Sequence, residues 1–136
     1  MAQTIIYLNF NGDCKEAMEF YRDALGGKLE LQTIAESPMA EHMPNANPNN
    51  ILHSALTNGS MVIMASDMVH GAIAENGSGY NICLVCDSEK QVHEMFNKLG
   101  AGGTVVEKLA EAPWGAIFGM LNDKFGKSWM FNYTLT

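Results

Sequence analysis

One series of caps, turns and glycine stops occurs twice in this chain, and a fold must accommodate both copies. In the first copy, residues 4–10 alternate as a strand, with Ile6, Leu8 and Phe10 on one face and Tyr7 and Asn9 on the other. Asn11-Gly12 breaks it, Asp13 with Glu16 forms an Asp-x-x-Glu capping pair, and Ala17, Phe20, Tyr21, Ala24 and Leu25 follow at helical spacing. Gly26-Gly27 stops the helix, and residues 28–35 alternate as a half-exposed strand. Residues 51–57 and 60–66 read as two strands joined by Asn58-Gly59, a strong hairpin signal because both residue types tolerate positive φ.

The order then restarts. Residues 80–86 form a strand, and Ser88 caps a helix with Gln91 in the capping-box position. Val92, Met95, Phe96 and Leu99 make its apolar stripe, and Gly100, Gly102 and Gly103 end it. Strands are expected at 104–109, about 115–121 and 127–134, with the last turn at Asn122–Gly126. The capping residues Asp13 and Ser88 stand 75 positions apart, and Gly27 and Gly103 stand 76 apart. This is the signature of an internal duplication. The expectation is an α+β fold of two βαβββ modules, about residues 1–67 and about 80–136, joined by a linker at about 68–79 within one domain spanning 1–136. One helix covers one face of four strands, so the other face is expected to be buried by another unit or to curve around a cavity; mixed sheets of two facing modules, curled around a shared cleft, would seat a ligand there. Residues 36–50, with Pro38, Pro44, Pro48 and four asparagines, read as a flap or a surface insertion.

Charge narrows the partners. The 136 residues carry a formal charge of -7, which argues against nucleic acid and anionic membranes because phosphate binding needs a basic footprint. No apolar run reaches a membrane span, and the start has no basic region of the signal-peptide kind. Three cysteines without a secretion signal suit reduced thiols and a cytoplasmic location.

Candidate chemistry is sparse. Alternation puts Tyr7, Asn9, Asn81, Cys83, Ser128, Met130 and Asn132 on the cleft face, and Leu8, Phe10, Ile82, Leu84, Trp129 and Phe131 on the face toward the helices. His53, mid-strand, is a candidate general base or anion contact, or else a hydrogen-bonded sheet histidine. Asp67 at a strand end is an acid/base candidate, or pins the following linker. His42 and His70 fall in the flap and linker, and His93 on the solvent side of the second helix. Cys83 and Cys86 form a C-x-x-C, but residues three apart on a strand face opposite ways and cannot grip one ion together. Cys14 opens the first helix, where a thiol pKa can fall. Asp123 suits a turn. Trp114 is a candidate cavity wall or dimer anchor, and the 10 methionines fit core filling or an adaptable cleft.

These elements resemble the glyoxalase/bleomycin-resistance/dioxygenase superfamily, the vicinal oxygen chelate proteins, and within it the PhnB-like branch. The resemblance rests on Tyr7–Gly12, Glu16-Ala17, Phe20-Tyr21, Leu25–Gly27, Trp114, Phe118-Gly119, Asp123–Gly126 and Trp129-Met130. Members of the branch often carry the label 3-demethylubiquinone-9 3-methyltransferase-like, yet no Gly-rich turn of a nucleotide-binding unit occurs in this sequence. The resemblance implies a homodimer and a divalent-metal site whose four ligands come from the first and last strands of each half. Carried over, those positions fall at Ile5 or Ile6, Met64, Asn81 and Met130. Aliphatic, thioether and amide side chains do not suit zinc, nickel or iron. The expectation is therefore a cofactor-free protein that binds a small molecule through Tyr7, Asn9, His53, Met64, Asn81, Cys83, Trp114 and Met130. The alternative is a lyase, transferase or dioxygenase-type enzyme with a shifted metal site or with His53, Tyr7 and Asp67 as acid/base groups.

Overall fold

Alternating strands and two amphipathic helices assemble into two units, residues 1–75 and 76–136. The computed structural model describes residues 5–37, 47–67 and 81–135. In the first unit, β1 (Ile6–Phe10), α1 (Cys14–Leu25), β2 (Lys28–Thr33), β3 (Ile51–Asn58) and β4 (Met61–Asp67) form a sheet of order β1-β4-β3-β2. In the second, β5 (Ile82–Val85), α2 (Glu89–Gly100), β6 (Thr104–Ala112), β7 (Ala116–Asn122) and β8 (Ser128–Thr134) repeat it as β5-β8-β7-β6. In each sheet the first and last strands pair in parallel and the other neighbours are antiparallel. This is an α+β fold of two four-stranded mixed sheets.

Each helix lies on one face of its own sheet, α1 against β2, β3 and β4, and α2 against β6, β7 and β8. The buried helix positions repeat at 75: Ala17, Tyr21 and Ala24 of α1 correspond to Val92, Phe96 and Leu99 of α2. They meet Phe10, Leu56, Ile63 and Ala65 in the first unit and Ile117, Leu121, Trp129 and Phe131 in the second, all buried. Phe96 meets Phe131 edge-on at 5.2 Å, the geometry ring quadrupoles favour. Gly119 of β7 makes room for it. A Cβ there would stand 2.9 Å from Phe96 Cε2 and 2.8 Å from Leu109 Cδ2.

The repeated glycine stops also have a shared cause. A Cβ on Gly27 would lie 2.5 Å from the Thr57 carbonyl oxygen of β3. A Cβ on Gly103 would collide with the Asn122 carbonyl oxygen of β7. In both units the chain leaving the helix passes against the backbone of the same sheet strand, and only glycine fits.

Two local expectations are corrected. Asp13 makes no side-chain capping bond. The start of α1 is held instead by Asp67, whose Oδ1 accepts from the Gly12 and Cys14 N–H groups at 2.8 and 3.0 Å. The hairpin loop is Gly59-Ser60 rather than Asn58-Gly59, because Asn58 pairs with Met61 inside the ladder. Gly59 takes φ 61° at the first loop position, as a type II′ turn requires. Asn58 is thereby freed to donate its amide to the Leu25 carbonyl at the end of α1, at 3.0 Å. The second cap matches its expectation: Ser88 accepts from the Gln91 N–H at 3.1 Å. The Gln91 side chain accepts in turn from Asp87 N at 2.6 Å. Strand β6 runs to Ala112, beyond the expected 109.

Candidate functional site

The helix-free face of each sheet is where side chains remain available. In the first unit, register puts Tyr7 of β1 beside Met64 of β4, and Met64 beside Ala55 of β3. Directly paired residues share a face, and so do residues two apart on one strand. Tyr7, Asn9, Met64, Ser66, Ala55 and His53 therefore belong to one surface. The Tyr7 and His53 rings stand 6.3 Å apart with planes inclined by 31°, and Tyr7 is 49% exposed. Two aromatic rings thus stand close together on the half-exposed face that Met64 shares. Gln32, opposite His53 on β2, completes that edge.

Asp67 is on the other side. It pairs with Phe10 and is 3% exposed. Besides the two bonds at the start of α1, its Oδ2 accepts from the Ile51 N–H at 2.7 Å. Its two oxygens tie together the end of β4, the start of α1 and the start of β3. Asp67 therefore does not join Tyr7 and His53, which face away from it across the sheet.

Cys14 lies beneath that junction, fully buried, with Sγ 3.6 Å from Ser54 Oγ. Burial pushes its thiol from 9.0 up to about 12, with the Asp67 and Asp13 carboxylates adding to the rise against the Ser54 contact. A thiol at a helix start is here made inert. Cys86 is likewise raised, to about 11, by burial and by the neighbouring Asp87 and Cys83.

In the second unit the helix-free face carries Cys83 on β5, Met130 on β8 and Met120 on β7, joined by direct register. Val85, Phe118 and Asn132 extend it, and Asn81 stands exposed just before β5. Trp114, in the β6–β7 turn, is 65% exposed and meets Phe118 edge-on at 5.5 Å. Met120, Phe118, Ser66 and Gln32 were not among the residues expected from sequence. Their period-2 alternation was visible, but their strand partners were not. On the helix side, a shallow cavity of about 330 Å³ is lined by Glu89, His93, Leu109, Ala110, Glu111, Ile117 and Leu135. His42 and His70 lie outside the described residues.

The positions carried over for a metal do not all share one face. Ile6 pairs with Ile63 on the helix-covered side, so only Ile5 shares the face of Met64. Asn81 and Met130 share the corresponding face of the second unit. Ile5, Met64, Asn81 and Met130 offer no imidazole or carboxylate, so these residues do not fit the divalent ion of the superfamily's metalloenzymes.

Paired βαβββ units, each with parallel outer pairing and one helix-free face, define a vicinal-oxygen-chelate-type protein. The Glyoxalase/Bleomycin resistance protein/Dioxygenase superfamily model matches residues 6–131, and the chain belongs to that superfamily. It is 28% identical to protein YjdN of Escherichia coli K12, over 93% of this chain and 91% of that one. Among solved structures, protein PA1353 of Pseudomonas aeruginosa aligns over 100% of both chains, with a TM-score of 0.89 and 37% identity. The PhnB protein of Bacillus cereus aligns over 98% of this chain and 100% of its own, with a TM-score of 0.75 and 26% identity.

Proposed function

We propose that this PhnB-like chain is a small-molecule-binding protein that holds a partly apolar ligand on its helix-free sheet faces without the superfamily's divalent metal. The observation that carries this reading is the donor chemistry just described: thioether, amide and aliphatic groups stand at the carried-over positions. On the same faces, Tyr7 and His53 in the first unit and Trp114 and Phe118 in the second offer rings beside the sulfur of Met64 and Met130, and Asn9 and Asn81 offer hydrogen bonds. Such a lining suits a molecule with an apolar body and a few polar groups. A homodimer belongs to the same reading.

Native mass spectrometry of freshly purified full-length protein tests it. The expected result is a dimer carrying a retained organic molecule and no stoichiometric zinc, nickel, iron or manganese. For a quantitative assay, anilinonaphthalene sulfonate is the probe. Tyr7→Ala and His53→Ala should each weaken its binding roughly three- to tenfold, about 1 kcal/mol. One such metal ion per chain, or unchanged probe binding in both variants, overturns the proposal.

A further inference from the structure

The helix-free face of the second unit carries a row of sulfur that the ligand-binding reading does not use as such. Cys83 of β5 is the direct register partner of Met130 of β8, and Met130 is the direct partner of Met120 of β7. Directly opposed side chains in adjacent strands have Cβ atoms roughly 5 Å apart and point to the same face. Cys83 is exposed, and Met120 and Met130 are half-buried. Among the described residues, the matching row of the first unit is Tyr7, Met64 and Ala55, with a single sulfur.

We propose that Cys83, Met130 and Met120 form a binding site for a soft monovalent metal ion, Cu(I) or Ag(I). One thiolate and two thioethers are soft donors that select Cu(I) over harder divalent ions. Met130 stands on the middle strand of the three, and the rotatable bonds of Met120 let its sulfur swing toward it. Binding converts the Cys83 thiol to a thiolate and releases one proton to solvent, with no change in the oxidation state of metal or protein. The other thiols do not compete well, since Cys14 and Cys86 are both buried and held protonated.

The test is anaerobic titration of the full chain with Cu(I), kept reduced by ascorbate, in competition with the chromophoric chelator bathocuproine disulfonate. About one Cu(I) per chain should be retained, and native mass spectrometry with Ag(I) should give the same stoichiometry. Cys83→Ser should abolish retention. The Met120→Leu/Met130→Leu double variant, which preserves side-chain volume, should weaken it roughly tenfold or more while far-UV circular dichroism stays that of the parent. Met95→Leu, on α2, should change nothing. The site is disproved if the parent surrenders all its Cu(I) to the chelator, or if the double-methionine variant retains Cu(I) as the parent does. The latter result would leave only a reactive thiol at Cys83. Failure here leaves the anilinonaphthalene sulfonate result untouched, because that assay contains no copper.

Discussion

The indole Nε1–H of Trp129 donates to Oδ2 of Asp123 at 2.8 Å, inside the second unit, where both residues are buried. Asp123 Oδ1 also accepts from the Phe125 and Lys127 N–H groups at 2.8 and 3.0 Å. One carboxylate thus shapes the β7–β8 turn and fixes the largest buried side chain. This gives physical content to the Asp-Lys-Phe-Gly-x-x-Trp run of the sequence. Asp123→Ala should destabilise the protein by about 3 kcal/mol or more, because it strands three donors. Urea unfolding followed by tryptophan emission measures this. A cycle with Trp129→Phe should return a coupling of about 1–2 kcal/mol.

Asp67 and Asp13 make a discriminating pair. Asp67 accepts three backbone bonds from two other elements, whereas Asp13 makes no capping bond. Asp67→Ala should cost about 2–4 kcal/mol, and Asp13→Ala less than about 0.5 kcal/mol. Denaturant midpoints of the two variants check the ranking. Equal losses would contradict the geometry.

Gly119→Ala should destabilise by about 1–3 kcal/mol through overpacking, because its new methyl meets Phe96 and Leu109. Leu109→Ala in the same chain should recover part of that loss. Full recovery is not expected, since the Glu107 carbonyl oxygen would still lie 3.2 Å from the added carbon. Thermal unfolding of the single and double variants is sufficient to decide.

Cys14 predicts alkaline sensitivity. Its folded pKa is raised from 9.0 to about 12, so above pH 9 the unfolded chain loses this proton while the folded chain keeps it. The stability it contributes is complete below pH 9 and declines as pH rises through the folded value, by about 1.4 kcal/mol per pH unit inside the window. Cys86, raised to about 11, adds a second contribution over a narrower range. Unfolding free energies measured from pH 8 to 11 should fall, and Cys14→Ala should make the fall shallower by about one proton.

Much of this was legible from sequence, and the limits have identifiable causes. The order of elements, the Ser88 cap and the face assignment of Tyr7, Asn9, Cys83 and Met130 rest on local chemistry and period-2 alternation, which a sequence displays directly. The Asp13 expectation failed because its competitor, Asp67, sits more than fifty residues away, and only the parallel pairing of β1 with β4 delivers it. Asn58 behaved differently from its turn reading because a helix end needed its amide. The approach of Tyr7 to His53 and the sulfur row through Met120 depend on strand order and register, and periodicity carries neither.

The two faces of each sheet have diverged unequally. Beneath the helices every equivalent pair is apolar or glycine, Ala17 with Val92, Tyr21 with Phe96, Ala24 with Leu99 and Gly27 with Gly103. On the uncovered side Tyr7 answers to Cys83 and Ala55 to Met120. The covered and uncovered faces are therefore written in separate sets of positions. Alternate residues of a few strands can change in such a chain and remake its open surface, while the other letters keep it standing.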